Sequence, residues 1–118
     1  MNRVYTKIVG TSFGECQKWI SRLTIKNKIW LHPEEINPID PNAVMVMGEF
    51  YDNQTYDTTE EKLGYLPKEL AADFEPCIKS GMVYRTKISS ITGGEFDNFG
   101  VNIFIEVVPK ELDKVTLQ

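Results

Sequence analysis

Apolar and polar residues alternate with a period of two from Arg3 to Val9: Val4, Thr6 and Ile8 fall on one side, Tyr5, Lys7 and Val9 on the other, and Gly10 interrupts the run. Successive side chains of a strand point to opposite faces, so this period predicts a first β-strand followed by a turn. Between Glu15 and Leu23 the spacing changes, and Cys16, Trp19, Ile20 and Leu23 recur every three or four residues. That places them on one face of a short helix. Ile25–Leu31 returns to alternation, with Ile25, Asn27, Ile29 and Leu31 set against Lys26, Lys28 and Trp30. Pro33 is expected to end this strand, because proline has no N–H to give to a ladder.

The stretch Pro33–Asn42 holds three prolines together with Asn and Asp, a composition that fixes φ and favours side-chain-to-backbone turns, and it predicts a stiff, ordered loop. Ala43–Met47 is a short apolar β-type run and Glu61–Leu66 is another strand candidate. Between them Gly48–Glu60 reads as an acidic loop or hairpin tip, with Phe50, Tyr51 and Tyr56 interleaved. Pro67 suits the start of a helix, and Glu69 suits the positive end of its dipole. Leu70, Phe74, Cys77 and Ile78 then repeat at helical spacing, with Gly81 as the expected C-cap. Pro76 is expected to end or bend that helix near its last turn. Val83–Ile91 and Asn98–Val108 read as two longer strands joined through Gly93-Gly94, closed by Pro109 and followed by a frayed tail, Lys110–Gln118. No repeat interrupts the order β, α, β, loop, β, β, α, β, β. The fold class expected is mainly β (α+β), a small barrel or rolled sheet with one or two short helices.

At 118 residues the chain fits one domain able to bury roughly two thirds of its unfolded surface. The two cysteines, Cys16 and Cys77, stand far apart, and MNRVYTKIVG lacks a secretory apolar run, so a reducing, cytoplasmic setting is expected. Apolar stretches such as Ala43–Met47 and Ile103–Ile105 fall short of the ~20 residues that cross a bilayer, and no membrane segment is expected. The net charge of −4 argues against gripping duplex DNA by charge alone. The acids are unevenly placed: Glu49, Asp52, Asp57, Glu60 and Glu61 crowd one segment with no Lys or Arg before Lys62. A small basic groove elsewhere is compatible with that distribution.

Catalytic chemistry finds little support. His32 has no Cys, His or acid at a metal or triad spacing. Asp40, Glu34 and Glu35 are scattered loop acids, better suited to solvation or turn-capping than to holding Mg²⁺. Gly10-Thr-Ser-Phe-Gly14 lacks the Gly-Lys-Ser/Thr ending of a phosphate-cradling loop. No enzyme activity, cofactor or metal site is expected.

Two signals rise above the generic: Asn37-Pro-Ile-Asp-Pro-Asn-Ala43, and Leu63-Gly-Tyr-Leu-Pro-Lys-Glu-Leu-Ala71, preceded by Ile8-Val-Gly10 and Leu31. In this order the sequence resembles the HIRAN domain over about Val4 to Val107. That module occurs at the N-terminus of certain DNA-repair helicases and as a free-standing protein in bacteria and phages. The resemblance implies a modified oligonucleotide-binding-type β-barrel which, in the helicase members, captures the 3′-hydroxyl end of single-stranded DNA. It implies that Phe13 stacks on a base, that Asp40 accepts the terminal hydroxyl's hydrogen bond, that Tyr65 and Lys68 meet phosphates, and that Phe99 lines the groove. Asn37 and Asn42 are read as loop-builders, with Asn37 able to touch a base. Each requirement has a physical basis: a strand end offers a free π-face worth ~1–3 kcal/mol in stacking, a hydroxyl donor and phosphates that need cations. The bland alternatives are core packing for Phe13, an Asx turn for Asp40 and solvation for Lys68.

The sequence also departs from the family. Where the helicase members carry Arg and two successive Tyr, this chain reads Ser12, Phe13, Gly14, and Ile39 replaces a tyrosine before the acid. The acidic segment has no counterpart and would repel phosphates if it folded beside the groove. Two further readings therefore stand beside a DNA-end-binding module. One is a protein-interaction adaptor presenting Phe50, Tyr51 and Tyr56 from Gly48–Glu61; the other is a metal-dependent phosphoesterase built on Asp40.

Overall fold

The structure, a computed structural model, describes residues 3–108, with the backbone alone at Val83. Six strands and two helices follow one another as β1 (Arg3–Lys7), α1 (Cys16–Ile20), β2 (Ile29–Pro33), β3 (Val44–Asp52), β4 (Asp57–Tyr65), α2 (Lys68–Lys79), β5 (Val83–Thr92) and β6 (Gly100–Val108). The fold is therefore mainly β. The expected tail, Lys110–Gln118, and Pro109 lie outside the described residues.

All pairing is antiparallel and falls into two three-stranded sheets, with β6 between β1 and β5, and β3 between β2 and β4. Alternation decides which side of each strand is buried: Val101, Ile103 and Ile105 of β6 face Val44, Val46 and Phe50 of β3 and Leu63 of β4 across the core. Helix α1 adds Cys16 and Ile20, and Trp19 packs on Phe50 with ring centroids 5.0 Å apart.

The two ladders meet at one point. Ile8 donates its N–H to the Val101 carbonyl (2.9 Å), and the next residue, Val9, exchanges both backbone hydrogen bonds with Tyr65 (2.8 Å each). Gly10, at φ 69°, then turns the chain away. The junction is a single bridge, so among the described residues the sheets do not close into the barrel that the run of short strands suggests. Gly64 makes the crossing possible, because a Cβ there would lie 2.5 Å from the Val9 carbonyl oxygen.

Several boundaries differ from the expectation, each for a local reason. Ile25 is 62 % exposed and β2 begins only at Ile29, because Asn27 Oδ1 accepts from the Thr24 N–H (2.8 Å) and closes a turn there. Gly48–Glu60 is mostly strand: β3 runs on to Asp52, β4 starts at Asp57, and the tip is a short turn whose Tyr56 takes φ 61°. Phe50 belongs to the core at 4 % exposure, which removes it from the exposed aromatic surface expected of an interaction loop; Tyr51 and Tyr56 remain exposed. Pro76 sits inside α2, which continues to Lys79. The missing N–H orphans only the Ala72 carbonyl, on the exposed side of the helix. Gly81, at φ 99°, stands one residue past the Ser80 cap. Its N–H reaches Ile78 O (3.0 Å) and that of Met82 reaches Cys77 O (3.1 Å), the paired bonds of a Schellman ending.

Candidate nucleic-acid interface

Four segments converge beside the sheet junction: the turn after Val9, the proline-rich loop before β3, the end of β4 and the first residue of α2. They enclose an open groove of about 430 Å³ lined by Phe13, Asn37, Ile39, Asp40, Lys62, Tyr65 and Lys68, with Val9, Gly10, Ala43 and Leu66 as its floor and rim. The turn closes through Phe13 N–H to Gly10 O (3.3 Å). With no side chain at Gly10, the Tyr65 and Phe13 rings both approach the backbone: a Cβ would lie 3.2 Å from one and 3.6 Å from the other. Phe13 is 70 % exposed, so its ring is presented to solvent and is not part of the core.

The loop is braced by its own side chains. Asn37 Oδ1 accepts from the N–H groups of Ile39 and Asp40 (2.9 Å each), while Asn37 Nδ2 donates to Glu34 Oε1 (2.8 Å). The Tyr65 hydroxyl donates to Glu34 Oε2 (2.9 Å), tying the end of β4 to the loop. Lys62 Nζ donates to the Tyr65 hydroxyl (3.0 Å) and lies 4.8 Å from the ring centroid. That hydrogen bond, helped by the nearby Glu34 charge, raises the Lys62 pKa against the opposing effect of partial burial. Lys62 is thus a fixed cation at the groove wall. Asp40 Oδ1 accepts from the Asn42 N–H (3.0 Å) in an Asx turn; its second oxygen has no partner among the described residues.

Lys68 opens α2, which no side chain caps. The first intrahelical bond reaches back from Ala71 to Pro67 O (2.9 Å), so the N–H groups of Lys68, Glu69 and Leu70 find no helical acceptor. Free amides, the positive end of the dipole and an exposed ammonium at one place suit an anion.

Phe13, Asn37, Asp40, Tyr65 and Lys68 therefore share one surface. Asn42 and Phe99 do not line it. Asn42 is exposed behind the Asx turn. Phe99 is half-buried against the core, with its ring over Gly94. Its backbone N–H donates to Gln17 Oε1 (2.8 Å) and its carbonyl accepts from Gln17 Nε2 (3.0 Å), which also donates to Thr11 O (3.0 Å). Phe99 thus supports the turn that carries Phe13 without entering the groove. Lys62 was missed in the sequence. Its signal was available: in β4 it stands three residues before Tyr65, directly after the acidic run, but a lone strand lysine has no spacing that marks it. Among the described residues no group of three or more His, Cys, Asp or Glu side chains could hold a metal ion, and no helix is long and apolar enough to cross a membrane.

No curated protein matches the sequence. Among solved structures, the crystal structure of the HIRAN domain of human HLTF superposes with a TM-score of 0.58 at 18 % identity, covering 97 % of this chain and 82 % of that one; at that identity the likeness concerns the fold. The model of the HIRAN domain family matches residues 1–108. The chain therefore belongs to the HIRAN domain family, whose members are nucleic-acid-binding modules.

Proposed function

We propose that the groove holds the 3′ end of a single-stranded DNA and that the chain acts as a binding module with no chemical step. Supporting this is one observation: residues 13, 37, 40, 65 and 68, far apart in sequence, line a single groove that offers an exposed ring, a carboxylate oxygen without a partner and an uncapped helix start. Phe13 supplies the face on which the terminal base stacks. The free oxygen of Asp40 accepts a hydrogen bond from the terminal hydroxyl, a charge-assisted bond that a 3′-phosphate would replace with repulsion. Lys68 and the amides of α2 take the adjoining phosphate, and Lys62 provides a second cation where Ser12 and Gly14 provide none.

The test is fluorescence anisotropy with short single strands ending in a 3′-hydroxyl or a 3′-phosphate. The hydroxyl strand binds more tightly, and Asp40→Asn narrows the difference. Lys68→Ala weakens both strands and reduces the steepness of the salt dependence by about 0.7, the share of one phosphate contact on a single strand. Equal affinity for the two ends in the unaltered protein would remove end recognition from the groove.

A further inference from the structure

The outer face of the β1–β6–β5 sheet carries a pattern that the groove does not use. Directly opposed residues of an antiparallel ladder project on the same side, so the register sets three rows across this face. Arg3, Glu106 and Arg85 form the first, Tyr5, Phe104 and Lys87 the second, and Lys7, Asn102 and Ser90 the third. The opposite face of the same strands, with Ile88, Ile103 and Ile105, is in the core. Arg3, Lys7, Arg85 and Lys87 are all exposed. The single acid of these rows, Glu106, is 6 % exposed and is held by Arg3, whose Nε lies 3.4 Å from its carboxylate. In a chain of net charge −4, these rows carry, among the described residues, four cations of which one is paired with the single acid, a local reversal of sign.

Aromatic rings occupy the middle of that face. Tyr5 is 64 % exposed, its centroid lies 5.7 Å from that of Phe104, and the Arg3 guanidinium stands 4.5 Å over the Phe104 ring. The cations sit on the two outer strands, about 10 Å apart across the sheet and roughly 13 Å apart along β1, framing the rings. At the other end the bulge between Ile88 and Ser90 opens a hollow of about 410 Å³ bounded by Tyr5, Lys7, Ser89 and Asn102. Asn102 Nδ2 donates to Ser90 Oγ (2.9 Å) there, leaving the amide oxygen as an acceptor. Flat rings for bases, flanked by cations for phosphates, are the combination that single-stranded nucleic acid requires.

We propose that this sheet face binds the interior of a single-stranded nucleic acid, with a base on the exposed Tyr5 ring and phosphates on Lys7, Arg85 and Lys87, while Arg3, held by Glu106 and stacked on Phe104, braces the aromatic pair. It is separate from the groove and needs no free strand end. The experiment uses the full chain and a fluorescent oligonucleotide of about twenty nucleotides blocked by a 3′-phosphate, so that the groove's end preference does not enter. The unaltered protein binds this strand. Lys7→Glu with Lys87→Glu, both exposed and outside the core, weakens binding by tenfold or more and lowers the salt slope by about 1.4, two phosphate contacts at about 0.7 each. Tyr5→Ala weakens binding to the oligonucleotide while leaving binding to inorganic polyphosphate unchanged, and Tyr5→Phe restores it. The proposal is overturned if the blocked strand does not bind, if the double charge reversal binds it like the unaltered protein, or if Tyr5→Ala affects polyphosphate and oligonucleotide alike, which would mark an acidic polymer as the ligand. Asp40→Asn, read on 3′-hydroxyl strands, tests the groove by itself, so either site can fail without the other.

Discussion

Replacing Gly64 with alanine tests whether the single bridge between the sheets holds the architecture and the groove together. The new Cβ would sit 2.5 Å from the Val9 carbonyl oxygen and closer still to Ile8 Cγ2. The first is backbone; the second belongs to a side chain 1 % exposed. Neither can swing aside, so Val9 and Tyr65 must part. Overpacking of this kind costs about 1–3 kcal/mol, and loosening the two 2.8 Å backbone bonds of the bridge adds about 1 kcal/mol for each bond lost. A total of about 3–5 kcal/mol lowers Tm by roughly 12–20 °C, at about 4 °C per kcal/mol for a domain of this size. Thermal unfolding followed by circular dichroism measures it. Gly14→Ala is the control. Gly14 also has a positive φ, 55°, but no atom lies within 4 Å of its added Cβ, so it costs only the ~1–2 kcal/mol of left-handed backbone. If Gly64→Ala melted no lower than Gly14→Ala, the bridge would not be the joint between the sheets. Because Tyr65 lines the groove, the same substitution also weakens binding of a 3′-hydroxyl strand.

Phe13→Ala leaves Tm unchanged, since the ring is 70 % exposed, but weakens single-strand binding by ~1–3 kcal/mol, read as a rise in Kd; a fall in Tm without loss of affinity would return Phe13 to a packing role. Asn37→Ala frees the N–H groups of Ile39 and Asp40, at about 1 kcal/mol of stability for each bond, and blurs the discrimination between 3′-hydroxyl and 3′-phosphate strands, because the loop no longer fixes Asp40. The Tyr84 phenol is pushed from 10.0 up to about 12, first by burial and then by Cys77. A raised pKa for an acid means the folded state favours the neutral form, so that stability is fully present below pH 10 and is lost as pH climbs towards 12. Denaturant unfolding across that window shows the decline, and Tyr84→Phe removes it; phenolate absorbance in which every tyrosine titrates near its ordinary value would refute the assignment.

The alternation of β1, β5 and β6 was readable because those strands bury one face, and so was α2, whose apolar spacing is regular. Gly48–Glu60 was harder. Its polar residues lie on a two-stranded extension with one solvated face, where Phe50 alone points inward against Trp19, and a single buried ring in an acidic run gives no period. The start of β2 was obscured for a different reason: Ile25 alternates correctly, but the Asn27 side chain captures the Thr24 backbone, and that competition does not register in a hydrophobic pattern. At the site, turn chemistry predicts only that the loop Pro33–Asn42 is ordered; Asp40, Tyr65 and Lys68 are named through the resemblance of the two motifs to the HIRAN domain. Phe99 was misplaced because a half-buried aromatic after a glycine turn can face either way. Here Gln17, eighty-two residues distant in sequence, holds its backbone, and no local pattern encodes so remote a partner.

In a chain of net charge −4, the proposed binding of a polyanion depends on how far the acids stand from the groove. That distance follows from where the β3–β4 hairpin carries them. Asp57 begins β4, Lys62 is the first groove residue along it and Tyr65 ends it, so at about 3.3 Å per residue the tip stands roughly 17 Å from the near wall of the groove and roughly 26 Å from Tyr65. The Debye length at physiological salt is about 8 Å, and Asp52 and Asp57, paired across the tip, lie about two to three such lengths away. Glu49 and Glu60, opposed in register, are nearer, Glu60 being roughly 7 Å along the strand from Lys62, within one such length. Glu60 and Glu61 are the acids of this segment that come near: Glu60 stands two residues from Lys62 on the same face of β4, and Glu61 shares a small hollow with Phe13 and Lys62, which lines both pockets. The potential at the groove is thus set by Lys62, Lys68 and the α2 amides against Asp40, Glu34, Glu60 and Glu61, with the tip acids contributing little. Neutralising the tip with Asp52→Asn and Asp57→Asn therefore leaves 3′-end affinity within about twofold at physiological salt, whereas Glu61→Gln tightens it. Titration of 3′-hydroxyl strands at several salt concentrations separates the two, and a tip variant that bound as tightly as Glu61→Gln would show that the hairpin folds back on the groove.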